Sequence, residues 1–163
     1  MSEEVKKPKT YEWDVARIGD ANQPAIIRIG PERIKEYIEA EEDFNSIYTD
    51  EAYARENGFD GPAVPIPMYI VYAAQRRHEL MHDQGYEHPL RPTPFSRFVF
   101  SSFAPVKVGD AIRSQLVLHD KYEKNGRRYL VWHNVSYNQN GEKVLEYYYT
   151  NMWDGSKPED RLR

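Results

Sequence analysis

The spacing of apolar residues predicts short helices in the first half of the chain. Ile34, Tyr37 and Ile38 recur at the three- and four-residue spacing of one helix face. Asp50 is a suitable N-cap for a second helix, and Gly58 can end that helix. We therefore expect two short helices before the chain reaches its most apolar segment.

A longer helix is predicted from Met68 to about Gln84. Pro67 suits the first turn of such a helix, and Gly85 and Pro89 stop it. Its first half, MYIVYAA, is nearly all apolar, whereas its second half, QRRHELMHD, is polar. We expect the first half to be buried on most sides and the second half to reach solvent.

After this helix the pattern changes to a two-residue period, which indicates strands. The predicted strands are Phe95 to Phe103, a segment carrying Ile112, Leu116 and Leu118, Tyr129 to Tyr137, and Val144 to Trp153. Hairpin turns are predicted at Lys124-Asn125-Gly126 and at Asn138 to Gly141. A long apolar helix followed by an antiparallel sheet that can wrap it predicts an α+β hot-dog fold. A sheet of three or four strands leaves open edges, so we expect dimerisation.

Composition limits the class of protein further. The chain has 163 residues and no cysteine, so disulfides are excluded. Its net charge of −4 argues against a nucleic-acid-binding protein. The 13 tyrosines favour half-buried interfaces. The N-terminus has no apolar segment typical of a signal peptide, and no run is long enough to span a membrane. We expect a cytoplasmic protein with a frayed terminus at residues 1–10, one domain at 11–153 and a polar tail at 154–163.

The most informative stretch runs from Asp43 to Asp50 and reads DFNSIYTD, with Gly58-Phe59 downstream. It resembles the pattern D-x-N-P-x-H-x-D, followed by A and G-F-x-x-P, of the MaoC-like hydratase/dehydratase family. The segment Pro105 to Asp110 is similar to the family's entry into its second long strand. The resemblance covers Ile29 to Trp153.

The resemblance implies reversible addition of water to a 2-enoyl thioester of coenzyme A or an acyl carrier, with no cofactor and no metal. Asp43 matches the catalytic Asp, and Asn45 matches the residue that braces the loop. Tyr48 stands where the family has its catalytic His. A phenol has a pKa of about 10, so near neutral pH it is a poor base, but it can donate a proton or hold a water.

The family also uses backbone N–H groups at the start of the central helix to polarise the thioester carbonyl. Ile66 replaces the Gly that the family usually has there, and Pro67 has no N–H to donate. The resemblance therefore assigns substrate binding to the amide of Ile66 or Met68.

Several interpretations of this site remain open at the level of sequence. Asp43 can act as base with Tyr48 as proton donor, or it can act with a different group. The chain can also be a non-catalytic, acyl-binding subunit that completes a homodimer or heterodimer of hot-dog subunits. A thioesterase on the same fold is a further alternative. The alternative without a catalytic role is that Asp43 and Asn45 are ordinary turn-forming residues.

A competing motif lies at the polar end of the predicted long helix. His78 to His88 matches H-E-x-x-H-x-x-G-x-x-H, the zinc signature of metzincin proteases. In that hypothesis His78, His82 and His88 bind zinc and Glu79 activates a water. The flanking residues do not fit a protease, so we prefer the interpretation that these histidines belong to the exposed end of a helix.

Overall fold

The computed structural model describes residues 9–154. Its main sheet has five strands in the order β2-β5-β6-β7-β4, and every neighbouring pair is antiparallel. These strands are β2 (Ala25–Arg28), β4 (Phe95–Ser102), β5 (Ala111–Lys124), β6 (Arg127–Tyr137) and β7 (Lys143–Met152). The predicted α+β hot-dog fold is confirmed.

The helices precede the long strands, as the sequence predicts. They are α1 (Pro31–Glu41), α2 (Glu51–Glu56), α3 (Tyr69–Tyr72) and α4 (Arg77–Asp83), with 3₁₀ turns at Ser46–Tyr48 and Ile66–Met68. The carboxylate of Asp50 accepts a hydrogen bond from the Tyr53 amide at 3.0 Å, so its predicted N-cap role is confirmed. None of the described helices is long and apolar enough to cross a membrane.

Both predicted hairpin turns are present, and each is stabilised by its own residues. Asn125 and Gly126 have φ angles of 52° and 72°, the left-handed conformation that a two-residue hairpin turn requires. In the second turn, Asn138 Oδ1 accepts hydrogen bonds from the amides of Asn140 and Glu142, both at 3.0 Å. These turns set the register of β5, β6 and β7.

The single long helix that the sequence predicts is interrupted, so the prediction of its continuity is wrong. Between α3 and α4 the backbone leaves the helical conformation, and Arg76 has a φ of 25°. The hydroxyl of Tyr147 donates to the Ala73 carbonyl at 2.6 Å, and that of Tyr149 donates to the Gln75 carbonyl at 3.5 Å. Side chains of the sheet thus supply partners for carbonyls at the break, which lowers the cost of interrupting the helix.

The core lies between the inner face of the sheet and the helices. Its largest fully buried side chains include Trp132 and Trp153 from the sheet side and Met68, Leu80 and Met81 from the helical side. In β6 the residues alternate between buried and half-buried, as a strand with one covered face requires. Both halves of the interrupted helix are therefore anchored in one core.

The structure describes a few residues beyond each end of the predicted domain at 11–153. Lys9 and Thr10, predicted to be frayed, form β1, which pairs in parallel with β3 (Tyr86–Glu87). Asp154, predicted to begin a polar tail, accepts hydrogen bonds from the Arg128 amide at 2.6 Å and the Arg127 guanidinium at 3.1 Å. Residues 1–8 and 155–163, which those predictions also cover, lie outside the described residues.

Candidate active site

The loop ahead of α2 is held in shape by its own side chains. Asn45 Oδ1 accepts a hydrogen bond from the Ile47 amide at 3.0 Å, which starts the 3₁₀ turn. The Ile47 carbonyl in turn accepts one from the Ala63 amide at 2.9 Å. The loop is therefore tied at one side to α2 and at the other to the segment that leads into α3.

The start of the interrupted helix offers one free backbone donor. The Met68 amide donates to the Pro65 carbonyl at 3.0 Å, and the Met68 side chain is fully buried. Met68 is thus a core residue, and its amide is not available to a substrate. No backbone hydrogen bond among the described residues uses the Ile66 amide. Of the two amides that the sequence suggested for substrate binding, only that of Ile66 is without a backbone partner among the described residues.

A cavity of about 410 Å³ joins the loop to the start of the helix. Asn45, Tyr48 and Ile66 line it, together with two residues that sequence reasoning missed, Tyr72 and Ser102. The apolar part of its wall comes mainly from Phe59, Val64, Phe100, Phe103, Val144 and Leu145. An apolar pocket with a few polar groups is the usual form of a small-molecule site.

Asp43 is exposed and is not part of the cavity wall, but it lies close enough to Tyr48 for its charge to act on the phenol. Burial raises the pKa of the Tyr48 phenol, and the negative charge of Asp43 raises it further. The phenol of Tyr48 therefore holds its proton at neutral pH.

Tyr37 of α1 belongs to the same group of side chains. Burial raises the pKa of its phenol, with further contributions from the nearby Glu41, Asp43 and Tyr48. By its spacing in the sequence, Tyr37 is only part of the apolar face of a helix. Tyr37 lies outside the Asp43 to Asp50 motif, so the motif gave no sign that it reaches the site. The structure brings it to the loop because α1 and the loop are joined at Asp43, whose amide donates to the Ile38 carbonyl at 3.1 Å.

A second cavity, of about 730 Å³, contains the histidines of the zinc-like motif. The rings of His78 and His88 stack with centroids 4.3 Å apart and planes 18° apart. Both carboxylate oxygens of Glu79 accept from the Arg76 guanidinium at 2.9 Å, so Glu79 is in an ion pair. Among residues 9–154, no group of three or more side chains is placed to hold a metal ion. The stacked rings and the ion pair of Glu79 with Arg76 do not match the zinc site of a protease, so the described residues give that hypothesis no support.

Comparison with protein families decides the relationship that the motif suggested. Residues 16–147 match the family described as FAS1-like, dehydratase domain region. The chain belongs to this family. It is a MaoC-like hot-dog protein of the hydratase/dehydratase group.

Similar proteins agree with this assignment. A UPF0336 protein of Mycobacterium leprae is 29% identical over 126 residues, which cover 76% of this chain and 75% of the relative. The truncated HadBC (3R-hydroxyacyl-ACP dehydratase) complex of Mycobacterium tuberculosis is similar in structure, with a TM-score of 0.66 and 22% identity over 84% of this chain and 98% of that one. A MaoC-like dehydratase of Rhodospirillum rubrum has a TM-score of 0.67 and 20% identity over 87% of this chain and 95% of that one. The two structural similarities support the fold.

Proposed function

We propose that this protein adds water to, or removes it from, an acyl thioester at the 2-enoyl/3-hydroxyacyl position. The observation that carries the proposal is that Asp43 is close to Tyr48, which lines an apolar cavity together with Ile66, whose amide has no backbone partner among the described residues. Carboxylate, phenol and free amide supply a base, a donor and a carbonyl-binding group within one site.

In the proposed hydration, Asp43 takes a proton from a water whose oxygen bonds to carbon 3 of the enoyl group. Carbon 2 receives its proton either from the protonated Asp43 or from Tyr48, which then recovers a proton from Asp43, and the carbon–carbon double bond becomes a single bond. Tyr48, protonated at neutral pH, holds the water or donates the proton, and it is not the base. The Ile66 amide hydrogen-bonds the thioester oxygen, where negative charge develops. Dehydration follows the same path in reverse.

The acyl group fits the apolar part of the cavity. Phe59, Phe100 and Leu145 contribute to its wall, and none of these side chains carries a polar atom. Burying the acyl chain there removes apolar surface from water and holds the thioester at the open end, near Ile66. The carrier, coenzyme A or an acyl-carrier protein, would remain outside the cavity.

A partner subunit is part of the proposal. Ile70 of α3 is 56% exposed, and Phe98 and Val99 of the edge strand β4 are each 41% exposed. Apolar side chains at a sheet edge are usually covered by another chain. A second hot-dog subunit, either a copy of this chain or a related one, would cover them.

The replacement of the family's histidine by Tyr48 favours a second candidate function. In that case the chain is the acyl-binding subunit of a hetero-oligomer, and the catalytic base is on its partner. The similar mycobacterial dehydratase is itself named as a complex.

Substitution of Asp43 tests both candidates. Asp43→Asn is expected to lower the rate of water addition to crotonyl-CoA by about 10²- to 10⁴-fold, the usual contribution of a general base. Loss of the enone absorbance measures the rate. Glu42→Gln is the control, because it removes the neighbouring exposed carboxylate.

Three outcomes of the hydration assay are distinguishable, and a separate thiol assay adds a fourth. Activity of the purified chain that Asp43→Asn abolishes supports the catalytic proposal. Activity that appears only with a co-purified hot-dog subunit, and that survives Asp43→Asn, supports the binding subunit. Activity of the chain alone that is equal in Asp43→Asn and Glu42→Gln contradicts the assignment of the base. Release of free thiol would instead reveal a thioesterase.

A further inference from the structure

One wall of the cavity includes a tyrosine whose hydroxyl has no hydrogen-bond partner among residues 9–154. Tyr72, the last residue of α3, is 3% exposed, and its side chain lines the cavity. Among the described residues, its only side-chain hydrogen bond partner is Ser114, whose hydroxyl donates to the Tyr72 backbone carbonyl at 3.4 Å. Burial alone raises the pKa of the Tyr72 phenol, with no contribution from a hydrogen bond or a neighbouring charge.

Other buried tyrosines of this protein are satisfied. Tyr147 donates to the Ala73 carbonyl at 2.6 Å, and Tyr11 donates to the Asp20 carboxylate at 2.6 Å. The Tyr72 hydroxyl is not among the fully enclosed polar atoms that lack a partner, so it keeps contact with open space beside the cavity that Tyr72 lines. A ligand bound in the cavity can therefore accept a hydrogen bond from this hydroxyl without displacing a protein partner.

The exposure of the lining residues distinguishes an open end of the cavity from an enclosed end. Ile66 is 59% exposed and Asn45 is also exposed, so these residues mark the open end. Tyr72, Val144 and Leu145 are all buried and mark the enclosed end. A thioester bound at Ile66 would therefore direct its acyl chain toward Tyr72, and the atoms that reach this hydroxyl would lie beyond the reacting carbons.

We propose that Tyr72 is a specificity-determining residue that donates a hydrogen bond to an oxygen substituent on the acyl chain. The preferred substrates would then be acyl thioesters that carry a hydroxyl or keto group on a carbon beyond the third. This inference rests on the proposed function, since it requires an acyl chain in the cavity. Tyr72 takes no part in the proton transfer, which belongs to Asp43 and Tyr48.

Thermal stability tests the unpartnered hydroxyl without any ligand. Tyr72→Phe is expected to melt at about the same temperature as the wild type, because it removes a hydroxyl that bonds to no described residue. Tyr147→Phe is the matched comparison and is expected to melt lower, because it removes the bond to the Ala73 carbonyl. Equal losses of melting temperature in both variants would mean that Tyr72 has a protein partner and would overturn the inference.

Binding of acyl-CoA ligands tests the specificity. Isothermal titration calorimetry would compare octanoyl-CoA with hydroxyoctanoyl-CoA isomers that carry the hydroxyl at carbons five to eight, one position at a time. The wild type is expected to bind at least one isomer about 2- to 13-fold more tightly than octanoyl-CoA, the net value of one hydrogen bond. Tyr72→Phe is expected to bind octanoyl-CoA but to lose this preference.

The failures of the two proposals are distinguishable. Equal affinity of the wild type for octanoyl-CoA and all its hydroxylated isomers would overturn the role of Tyr72 and leave the thioester site standing. A preference for a hydroxylated isomer that persists in Tyr72→Phe would also overturn the role of Tyr72 and leave the thioester site standing. Absence of binding by every acyl-CoA would remove the thioester site itself, and the inference with it.

Discussion

The two cavities of this protein differ in how well their sequence motifs match known sites. The histidine cavity carries a match to H-E-x-x-H-x-x-G-x-x-H at every fixed position, yet its rings stack and its glutamate is in an ion pair with Arg76. The other cavity carries a motif with its histidine replaced by Tyr48, yet Asn45 and Tyr48 of that motif line one apolar pocket. A motif predicts chemistry only when the fold makes its side chains converge.

The largest expected difference between the cavities is in catalysis. Tyr48→Phe is expected to lower the rate of enoyl-thioester hydration by about 10²-fold, because it removes the donor that holds the water or the proton. His82→Ala, in the histidine cavity, is expected to leave the rate unchanged. Steady-state assays of both variants measure the difference, and an equal effect of the two substitutions would remove the distinction between the cavities.

The pH dependence of the rate sharpens the role of Tyr48. Its phenol keeps its proton well into the alkaline range, since burial and Asp43 raise its pKa above the ordinary value. The rate is therefore expected to show no fall from Tyr48 ionisation between about pH 7 and pH 9. A fall in this range that is absent from Tyr48→Phe would contradict the role of a protonated donor.

The next expected effect concerns the surface beside the first cavity. Val99→Lys places a charge on the edge strand and is expected to weaken self-association or association with a related subunit by about tenfold or more. Val108→Lys is the control, because Val108 is 36% exposed against 41% for Val99 but lies in a turn. Sedimentation across a concentration series measures both, and equal association constants would place the interface elsewhere.

A smaller effect is expected from acid on the histidine cavity. Burial is the main cause that lowers the pKa of His88, partly offset by its hydrogen bond to the Pro89 carbonyl, while His78 and nearby arginines lower it further. A histidine with a lowered folded pKa binds its proton more readily when unfolded. Its contribution to stability is therefore present above an unfolded pKa of about 6.5 and is lost as the pH falls toward the folded pKa.

Melting temperatures at several pH values measure this loss. His88→Gln is expected to show a shallower fall between about pH 7 and pH 5 than the wild type. His133→Gln is a useful comparison, because burial also lowers the pKa of His133 on the sheet. A slope that is unchanged in His88→Gln would show that this ring is solvated in the folded protein.

The smallest expected effect is that of metal removal. Prolonged dialysis against a chelator is expected to change neither activity nor melting temperature, since no group among residues 9–154 is placed to hold a metal ion. Elemental analysis of the purified protein checks the same point. Zinc at one equivalent per chain that resists dialysis would return the histidine cavity to consideration.

The sequence predicted the parts of the fold that depend on local chemistry. Asn125-Gly126 dictates a tight turn through its backbone preferences, and the Asp50 side chain caps α2 directly. These features involve residues close together in the chain, so their pattern is sufficient to identify them. The short strand β2 was missed because its four residues, AIIR, are stabilised by pairing with the distant β5.

The site was predictable only in part, for the same reason. Asp43, Asn45 and Tyr48 lie in one motif, whereas Tyr72 and Ser102 reach the cavity through the packing of α3 against the sheet. Met68 was assigned to substrate binding by its place in the chain, but its amide already bonds to Pro65. Which amide is free depends on three-dimensional hydrogen bonding that no spacing rule contains.

The break in the central helix has an electrostatic consequence. A long helix concentrates the aligned dipoles of its peptide groups as partial positive charge at its first turn. Here α3 has only four residues beyond a 3₁₀ turn, so few peptide dipoles add at Ile66. An oxyanion held at this amide would be stabilised by a single hydrogen bond and not by the summed dipole of a long helix. Its stabilisation would therefore depend on the position of individual donors within a few ångströms.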